Sequence, residues 1–294
     1  VEQLQIDPLF YLYSRISPSG DRLAINSFDG GGGFDVWVYD FYAETLGRRT
    51  FNGNGMRAMW TDDGTRLIYA CGVGNICSTA ANGTDSESIL ASGLQEPTPY
   101  AQVNETELLI TQGSPQQVYR LDLVGENEAL LENLNLSPSS NSDVALSYDK
   151  NWIAYASDAS GRREIYVRPF PNIAGGKWQV SRQGGRWPIW NENSNELIWW
   201  SESTSEILKS DYKVGSDSTE SVEIRFSNPS LILETQFLGS TAFFPYDYNE
   251  ETEKFVFIST SRSGSDILAR QTKLKVIENW NGELSSIAPA EYRE

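Results

Sequence analysis

The chain has 294 residues, of which 39% are hydrophobic and 12% aromatic, so it can bury a sizeable core and wholesale disorder is excluded. Its 40 acidic residues outnumber its 23 basic ones, for a net charge of −17. Because a surface of that sign repels phosphate groups and anionic lipids, we predict no nucleic-acid partner. No apolar stretch is long enough to cross a bilayer, so we also predict no direct membrane insertion.

Histidine is absent from the chain, and its absence excludes several kinds of site. A Ser-His-Asp or Cys-His catalytic centre cannot be assembled, and neither can a histidine-based zinc, copper or iron site. No Walker-type phosphate loop and no dinucleotide fingerprint occurs, and we interpret the run Gly30–Gly33 as a hairpin loop between two strand-like segments. Catalysis would therefore require carboxylates, tyrosine, lysine or a cofactor.

From the N-terminus onward, short apolar strands separated by turns recur along the whole chain. Aligned apolar residues of successive copies lie 44, 41, 45, 44 and 58 residues apart: Leu23, Leu67, Leu108, Ile153, Leu197 and Phe255. Periods of about 40 to 50 residues made only of strands are typical of propeller blades with four strands each. We predict an all-β fold, a six-bladed β-propeller with four-stranded antiparallel blades. A β-sandwich with accidental spacing is the alternative.

We assign residues 1–294 to a single propeller domain, because no segment of linker composition interrupts the repeats. The predicted repeats lie near residues 11–50, 51–94, 95–137, 138–181, 182–228 and 229–280. The polar segment Gly215–Ser221 is interpreted as a loop insertion in the long last interval. Leu274–Ile277 is predicted to be the outer strand of the last blade, and Val1–Ile6 to pair with that blade or to complete the first.

The stretch Gly161–Trp190 contains two glycine pairs and a Pro-Phe-Pro turn between segments that alternate polar and apolar residues. Alternation at a period of two is typical of half-buried strands, and glycine and proline mark turns. The stretch therefore predicts the order strand, turn, strand, tight turn, strand. Its strand-like segments are Glu164–Arg168, Lys177–Ser181 and Trp187–Trp190.

Two sets of motifs in these repeats resemble a known family. The turns Ser17–Gly20 and Thr61–Gly64 resemble the Ser-Pro-Asp-Gly turn of TolB-like, WD-repeat-like propellers. Ile165–Trp190, with its Pro-Phe-Pro and Gly-Gly turns, resembles the propeller domain appended to many bacterial serine/threonine protein kinases, as does the closing segment Leu274–Leu284. The other four turns lack both the proline and the glycine, which marks a divergent member.

The resemblance implies a function as well as a fold. Its members are sensory, scaffolding or ligand-binding modules, often extracytoplasmic, and carry no catalytic residues in the propeller. We expect a binding or sensor propeller outside the cytoplasm, in a signalling or envelope complex, with any export signal or anchor lying outside this chain. No kinase motif occurs in the sequence. The alternative is a carbohydrate-active lyase or glycosidase using carboxylates or tyrosine, against which the lack of histidine weighs, since the TolB-like lyases hold their metal with histidine.

In a propeller the innermost strands line a channel, and the residues that precede or begin these strands form its mouth. At this mouth we predict a ligand site formed by Tyr13, Arg57, Asp143, Arg186, Trp187 and Phe243. Cations, an anion and aromatic rings together suit a peptide, protein or glycan ligand. Trp187 is the best candidate for an exposed aromatic residue, with packing at the rim as the alternative. Three further tryptophans are predicted to pack between blades: Trp60, Trp190 and Trp199.

Cysteines and turn carboxylates complete the set of candidates. Cys71 and Cys77 flank a predicted hairpin, so they can form a disulfide, which suits an oxidising compartment; two buried thiols are the alternative. We expect no cofactor. Bound Ca²⁺ is the alternative, since carboxylates in turns can hold that ion: Asp62, Asp63, Asp247, Glu250 and Glu251. We expect the protein to be a monomer.

Overall fold

The computed structural model describes residues 2–4, 6, 10–28, 33–123, 130–216, 222–234, 245–260 and 272–278. Within these residues the chain forms six antiparallel sheets of at least four strands each, and a single short 3₁₀ helix at Ile173–Gly175. The predicted all-β class and the count of six blades are confirmed. No helix in this part of the chain is long and apolar enough to cross a membrane.

Contacts divide the chain into two compact units, Val1–Pro99 with Gln236–Glu294 and Tyr100–Thr235. The first unit contains the first two sheets. Sheet 1 consists of β2 (Phe10–Ile16), β3 (Arg22–Phe28), β4 (Phe34–Asp40) and β5 (Thr45–Arg48). Sheet 2 consists of β6 (Gly55–Trp60), β7 (Arg66–Cys71), β8 (Asn75–Ala80) and β9 (Ser88–Ala91).

The last sheet of the first unit closes with a strand from the N-terminus. It consists, in spatial order, of β1 (Glu2–Gln3), β25 (Thr272–Ile277), β24 (Lys254–Thr260) and β23 (Tyr246–Asn249). Glu2 pairs with Val276, which confirms that the N-terminal segment joins the last blade. The prediction that Leu274–Ile277 is the outer strand is wrong, because β25 pairs on one side with β24 and on the other with β1.

The second unit contains nearly all of sheet 3 and the whole of sheets 4 and 5. Sheet 3 consists of β10 (Thr98–Asn104), β11 (Glu107–Gln112), β12 (Gln117–Asp122) and β13 (Leu130–Asn133). Sheet 4 consists of β14 (Asn141–Leu146), β15 (Trp152–Ser157), β16 (Glu164–Pro169) and β17 (Trp178–Gln179). Sheet 5 consists of β18 (Arg186–Asn191), β19 (Glu196–Ser201), β20 (Glu206–Ser216), β21 (Val222–Phe226) and β22 (Ser230–Glu234).

Sheet 5 corrects two predictions. Residues 230–234 pair with the first half of β20, so the fifth repeat extends past the predicted boundary at residue 228. The predicted loop insertion Gly215–Ser221 begins inside a strand, because the second half of β20 pairs with β21 as a hairpin. Tyr212 of this hairpin packs edge-on against Trp190, with 5.3 Å between ring centroids. The hairpin strands thus add apolar contacts to the sheet, and the rest of the predicted insertion, residues 217–221, lies outside the residues that the structure describes.

In three sheets, the turn between the first and second strands contains a hydroxyl group with the same hydrogen-bonding role. The Oγ atoms of Ser17, Thr61 and Ser147 each accept a hydrogen bond, 2.9–3.1 Å long, from the backbone N–H five residues further on. Each hydroxyl also donates to an aspartate in its own turn. These turns reverse the chain with their backbone groups satisfied, which is the role that the sequence motif predicts for them.

Tryptophan indoles join successive sheets within each unit. Trp60 Nε1 donates to the carbonyl of Arg15 at 2.9 Å in the first unit. Trp190 Nε1 donates to the carbonyl of Ala145 at 3.2 Å in the second. Trp199 is fully buried in the cluster that includes Trp152 and Leu197. The prediction that these tryptophans pack between blades is confirmed. The indole N–H groups of Trp60 and Trp190 are satisfied, as is usual for buried tryptophan, whereas Trp199 Nε1 has no hydrogen-bond partner among the described residues.

One arrangement, which we call the linker clamp, holds the loop from sheet 1 to sheet 2. The buried Asp35 accepts hydrogen bonds from Thr50 Oγ1 at 2.7 Å and from the Gly53 N–H at 3.3 Å. Thr50 Oγ1 in turn accepts the Val36 N–H at 2.9 Å. Arg48 forms an ion pair with the other carboxylate oxygen. The buried charge is therefore both paired and hydrogen-bonded, as burial of a carboxylate requires.

The loop from sheet 4 to sheet 5 has a second linker clamp. Glu164 accepts hydrogen bonds from Ser181 Oγ and from the Gly184 N–H, the latter at 3.1 and 3.2 Å. Ser181 Oγ accepts the Ile165 N–H at 2.7 Å, and Arg162 binds Glu164 through two nitrogens at 2.6 and 2.8 Å. A Cβ at the next residue, Gly185, would lie 2.6 Å from Ile165 Cγ1, so only glycine fits beside this clamp.

Candidate functional site

Four of the predicted site residues occupy one register position in the first strands of their sheets. Tyr13, Arg57, Asp143 and Trp187 each lie three residues before the residue that pairs with the aligned leucine or isoleucine. At Arg57, Asp143 and Trp187 the pairing register shifts, as at a β-bulge. In β2 the shift comes one residue earlier, between Tyr11 and Tyr13, and Tyr13 itself pairs with Asn26. Arg57, Asp143 and Trp187 adopt φ values of 57°, 52° and 52°. A left-handed backbone conformation is costly for residues other than glycine. Its repetition at the same strand position indicates that the bulge is a regular feature of these sheets.

In the second unit the structure brings Asp143 and Arg186 together as a buried ion pair. Arg186 Nε donates to Asp143 Oδ2 at 2.9 Å, with a longer contact of 3.4 Å from Nη2 to Oδ1. The side chains are 13% and 5% exposed. The backbone N–H of Asp143 donates to the Tyr100 hydroxyl at 3.2 Å. Paired in this way on nearly bidentate geometry, the two charges offset much of each other's desolvation cost.

Electrostatics keep the guanidinium of Arg186 charged despite its burial. Desolvation alone would lower its pKa, but the charge of Asp143 and the hydrogen bond to it raise the pKa above the ordinary value, with a further contribution from Glu202. Glu202 Oε1 lies 4.0 Å from Arg186 Nε and 3.8 Å from Arg163 Nη1. The Glu202 and Arg163 side chains are 35% and 32% exposed. The network therefore extends from the buried pair out to solvent.

Trp187 is buried, so the prediction that it is exposed is wrong and the alternative of a packing residue holds. Only 1% of its surface is exposed. Its ring stacks on Trp200, with centroids 5.1 Å apart and planes 28° apart. The guanidinium carbon of Arg186 lies 4.4 Å from the Trp187 ring centroid. The side chain is thus a packing element beneath the charged pair, in a cation–π contact.

In the first unit, Tyr13 and Arg57 have different surroundings. Tyr13 is 3% exposed, and burial is the main cause that raises the pKa of its hydroxyl; Arg15 opposes the rise and Asp247 adds to it. Arg57 Nη1 donates to Thr98 Oγ1 at 2.8 Å. Phe243, the remaining predicted residue, lies outside the residues that the structure describes.

The remaining candidates are the cysteines and the turn carboxylates. Cys71 and Cys77 are joined, with sulfur atoms 1.93 Å and Cα atoms 5.8 Å apart, across the hairpin of β7 and β8. Asp63 accepts hydrogen bonds from Thr61 and Thr65 in its own turn, and these bonds lower its pKa. Among the described residues no three His, Cys, Asp or Glu side chains are grouped so that they could hold a metal ion.

Sequence reasoning missed three members of the charged network: Arg162, Arg163 and Glu202. All three lie in turns, where a charged residue is usually a solvated one. A usable signal was present, however. Asp143 and Arg186 are opposite charges 43 residues apart, one less than the 44-residue spacing of their repeats, at the same end of adjacent first strands. Opposite charges at the same end of adjacent first strands are placed to pair when blades stack.

Comparisons with known proteins give the fold and no closer relationship. No family model matches the chain, and no curated protein matches it. Among solved structures it is similar to a putative TolB from Agrobacterium tumefaciens, at 12% identity and a TM-score of 0.58, covering 77% of this chain and 81% of that one. It is similar to TolB from Acinetobacter baumannii at 16% identity and a TM-score of 0.56, covering 75% of this chain and 54% of that one. The chain thus spans about half the length of that TolB.

A third similar structure is an oligogalacturonate lyase in complex with manganese, at 10% identity and a TM-score of 0.57, covering 94% of this chain and 92% of the other. At these identities the likeness concerns the fold alone. With six sheets of the described topology, the chain is a six-bladed β-propeller with TolB-like structural neighbours. These neighbours belong to the kind of propeller that the turn motifs of the sequence resemble.

Proposed function

We propose that this protein is a non-catalytic binding or sensor propeller that recognises a peptide, protein or glycan. The observation that carries the proposal is the charged network of the second unit, in which the half-exposed Arg163 and Glu202 lie over the buried pair of Arg186 and Asp143. Ordered, partly desolvated charges on a rigid sheet are suited to orienting a polar ligand. The ligand site is the end of sheets 4 and 5 where these side chains meet.

The chemistry of these residues favours binding over catalysis. A general base needs an acceptor oxygen within hydrogen-bond reach of the substrate proton, and a carboxylate whose oxygens face a buried arginine is occupied by that arginine. Asp143 is in this position. Glu202, the other carboxylate of the network, faces two arginines. Neither group is placed as a free proton carrier, whereas both guanidinium groups are placed to attract an anion.

We further propose an extracytoplasmic location and a role in a signalling or envelope complex. The Cys71–Cys77 disulfide supports an oxidising compartment, since such bonds are rare in the reducing cytosol. The resemblance of the Pro169–Trp190 region to propellers appended to bacterial serine/threonine kinases supports a sensory role. TolB structures among the neighbours are compatible with both.

Ligand-dependent thermal stability tests the proposal. A ligand that binds only the folded protein raises Tm in proportion to ln(1 + [L]/Kd), so we expect a saturable increase with at least one member of a panel of peptides and glycans. The lyase among the neighbours makes oligogalacturonate the substrate for the opposing test. Turnover of any saccharide in the panel, lost on replacing a carboxylate, would overturn the non-catalytic assignment. A panel that leaves Tm unchanged throughout would overturn the binding assignment.

A further inference from the structure

Four arginines meet at one end of sheets 4 and 5, and we call them the arginine face: Arg162, Arg163, Arg182 and Arg186. The whole chain has 23 basic residues and a net charge of −17, so the grouping of four cations within 25 residues is a local reversal of charge. Only two carboxylates of the face lie deep in the fold, Glu164 and Asp143, at 2% and 5% side-chain exposure. Each is already matched by one arginine.

Hydrogen bonds of the loop hold these arginines in one place. Arg162 Nη2 donates to the backbone carbonyl of Arg182, which ties the two turns together. The N–H of Gly185 donates to the carbonyl of Arg163 at 3.0 Å. The side chain of Arg162 is 51% exposed and Arg182 is exposed as a residue. Arg182 is thus held beside Arg162 through its backbone carbonyl, and as an exposed residue its side chain is accessible to a ligand.

Glu202 is the carboxylate that lies between Arg163 and Arg186. Its Oε1 atom is 3.8 Å from Arg163 and 4.0 Å from Arg186. Both distances exceed the 2.7–2.9 Å of a charge-assisted hydrogen bond. At about one third exposure, such a loose pair contributes little to stability. Glu202 therefore marks a position that is attractive to a carboxylate and that the protein's own carboxylate fills only loosely.

We propose that the arginine face binds carboxylate side chains of an acidic peptide segment of a partner protein, and that Glu202 holds the place of a ligand carboxylate until the segment displaces it. This inference rests on the proposed binding function and names the ligand class of the same site. Arginine suits the role because its planar fork binds carboxylates through two parallel hydrogen bonds. The acidic remainder of the surface repels such a segment elsewhere and so directs it to this face.

A peptide is favoured over a carboxylated glycan by the aromatic residues. Sugar rings are commonly held on exposed aromatic faces, because the ring supplies apolar area at a rigid surface. Trp187 and Trp200, the tryptophans nearest the arginine face, are only 1% and 7% exposed and stack on each other. Within the described residues, the face thus combines accessible cations with buried tryptophans, which matches acidic side chains on a flexible backbone.

Fluorescence anisotropy with a labelled oligoglutamate peptide tests the inference. We expect saturable binding by the wild type at physiological salt, about tenfold weaker for Arg182→Ala, which removes one charge-assisted contact. Glu202→Gln should bind more tightly than the wild type. The matched controls are Arg225→Ala and Glu223→Gln, an exposed ion pair on the β20–β21 hairpin of the same unit. Each control makes the same change of charge away from the face and should alter Kd by less than about twofold.

Three outcomes would overturn the inference. One is that oligoglutamate binds no better than oligolysine. Another is that the Arg225 and Glu223 controls change affinity as much as the variants of the face, which would make the attraction non-specific. The third is that an oligouronate of equal charge binds more tightly than the peptide with the same dependence on Arg182, which would assign the face to glycans. If a neutral ligand stabilises wild type and Arg182→Ala equally, the proposed binding function stands and the acidic ligand class falls.

Discussion

The two linker clamps, one in each unit, share their inner parts and differ in their outer ones. In both clamps, a buried carboxylate of the third strand accepts hydrogen bonds from a side-chain hydroxyl and from a glycine N–H. The hydroxyl oxygen in turn accepts a hydrogen bond from the N–H of the residue that follows the carboxylate. Around the first clamp, Arg48 packs its guanidinium over the rings of Trp37 and the exposed Phe51, at 5.6 and 5.4 Å. Around the second, Arg162 and Arg182 face solvent.

This difference separates the side chains that the fold requires from those that are available for binding a ligand. The carboxylate, hydroxyl and glycine recur because they satisfy a buried turn of backbone, and any stacked pair of blades with this loop needs them. An arginine pairs with the carboxylate in both clamps, Arg48 in the first and Arg162 in the second, but its other surroundings differ. In the first unit Arg48 also packs against aromatic rings, while in the second unit two further arginines, Arg163 and Arg186, lie near Glu202. The variable part is therefore where function is to be sought.

The largest expected effect comes from removing the carboxylate of the second clamp. Glu164→Ala leaves the Gly184 N–H and the Ser181 hydroxyl without their acceptor and should lower the free energy of unfolding by about 3 kcal/mol. Asp35→Ala should have a comparable effect if the clamps are equivalent. Urea unfolding measures both. Glu132→Ala, at a carboxylate 67% exposed, is the control and should change stability little. Equal effects at Glu164 and Glu132 would refute the clamp.

The disulfide should rank next, because it supports the loop of the first clamp. The N–H of Gly72, adjacent to Cys71, donates to the carbonyl of Asn54 in that loop at 3.3 Å. In the second unit a hydroxyl takes this role, since Ser201 donates to the carbonyl of Gln183 at 3.2 Å. The double variant Cys71→Ser and Cys77→Ser should lose about 2 kcal/mol of stability, as loop-closure entropy suggests. Reducing agent should destabilise the wild type but not this variant. Two alkylatable thiols in the native, unreduced protein would contradict the bridge.

The hydroxyls of the two clamps give a smaller and more specific test. Thr50→Ala and Ser181→Ala each leave one buried N–H without its acceptor and remove one of the hydrogen bonds to the clamp carboxylate, which keeps its glycine N–H. Each should cost about 1–2 kcal/mol. Thr50→Ser keeps the hydroxyl and should restore most of the stability lost in Thr50→Ala. Thermal unfolding of the three variants measures the comparison. If Thr50→Ser is as unstable as Thr50→Ala, the lost methyl group rather than the hydroxyl carries the effect.

The repeat, the strand order and the positions of the tight turns could be predicted from the sequence, because they follow from local patterns. Apolar alternation and glycine pairs are readable residue by residue. The reason for the second glycine pair was not readable: Gly185 is required by its approach to Ile165 and Ser181, across a strand pairing. The outer strand of the last sheet was missed for a similar reason, since β1 comes from the opposite end of the chain.

The candidate site was predicted in position and not in environment. The register placed Asp143, Arg186 and Trp187 at one end of adjacent first strands, as expected. Asp143 and Trp187 lie at bulges and have left-handed backbone conformations. Because neither residue is a glycine, the sequence contains no local pattern that would predict these bulges or the burial that goes with them. An exposed aromatic and free charges were expected; a buried stack and a satisfied ion pair are what packing produces there.

Asp247 sharpens the comparison of buried carboxylates. It accepts hydrogen bonds from the Ile16 N–H at 2.8 Å, from Arg15 at 3.4 Å and from the Tyr248 N–H, where the clamp carboxylates accept one from a hydroxyl. Burial raises its pKa above the ordinary 3.8, although Arg15 opposes the rise.

The folded state therefore binds the proton of the Asp247 carboxyl group more tightly than the unfolded state does. The stabilisation is complete below the unfolded pKa and is lost as the pH rises through the folded pKa. Relative to Asp247→Asn, the wild type should therefore lose stability in urea unfolding as the pH rises above the ordinary carboxyl pKa of 3.8. Exposed Asp85 has a pKa lowered by the Ala80 N–H and Arg66, so Asp85→Asn should show the opposite sign. Parallel slopes for the two variants would show that Asp247 is not stabilised in its protonated form.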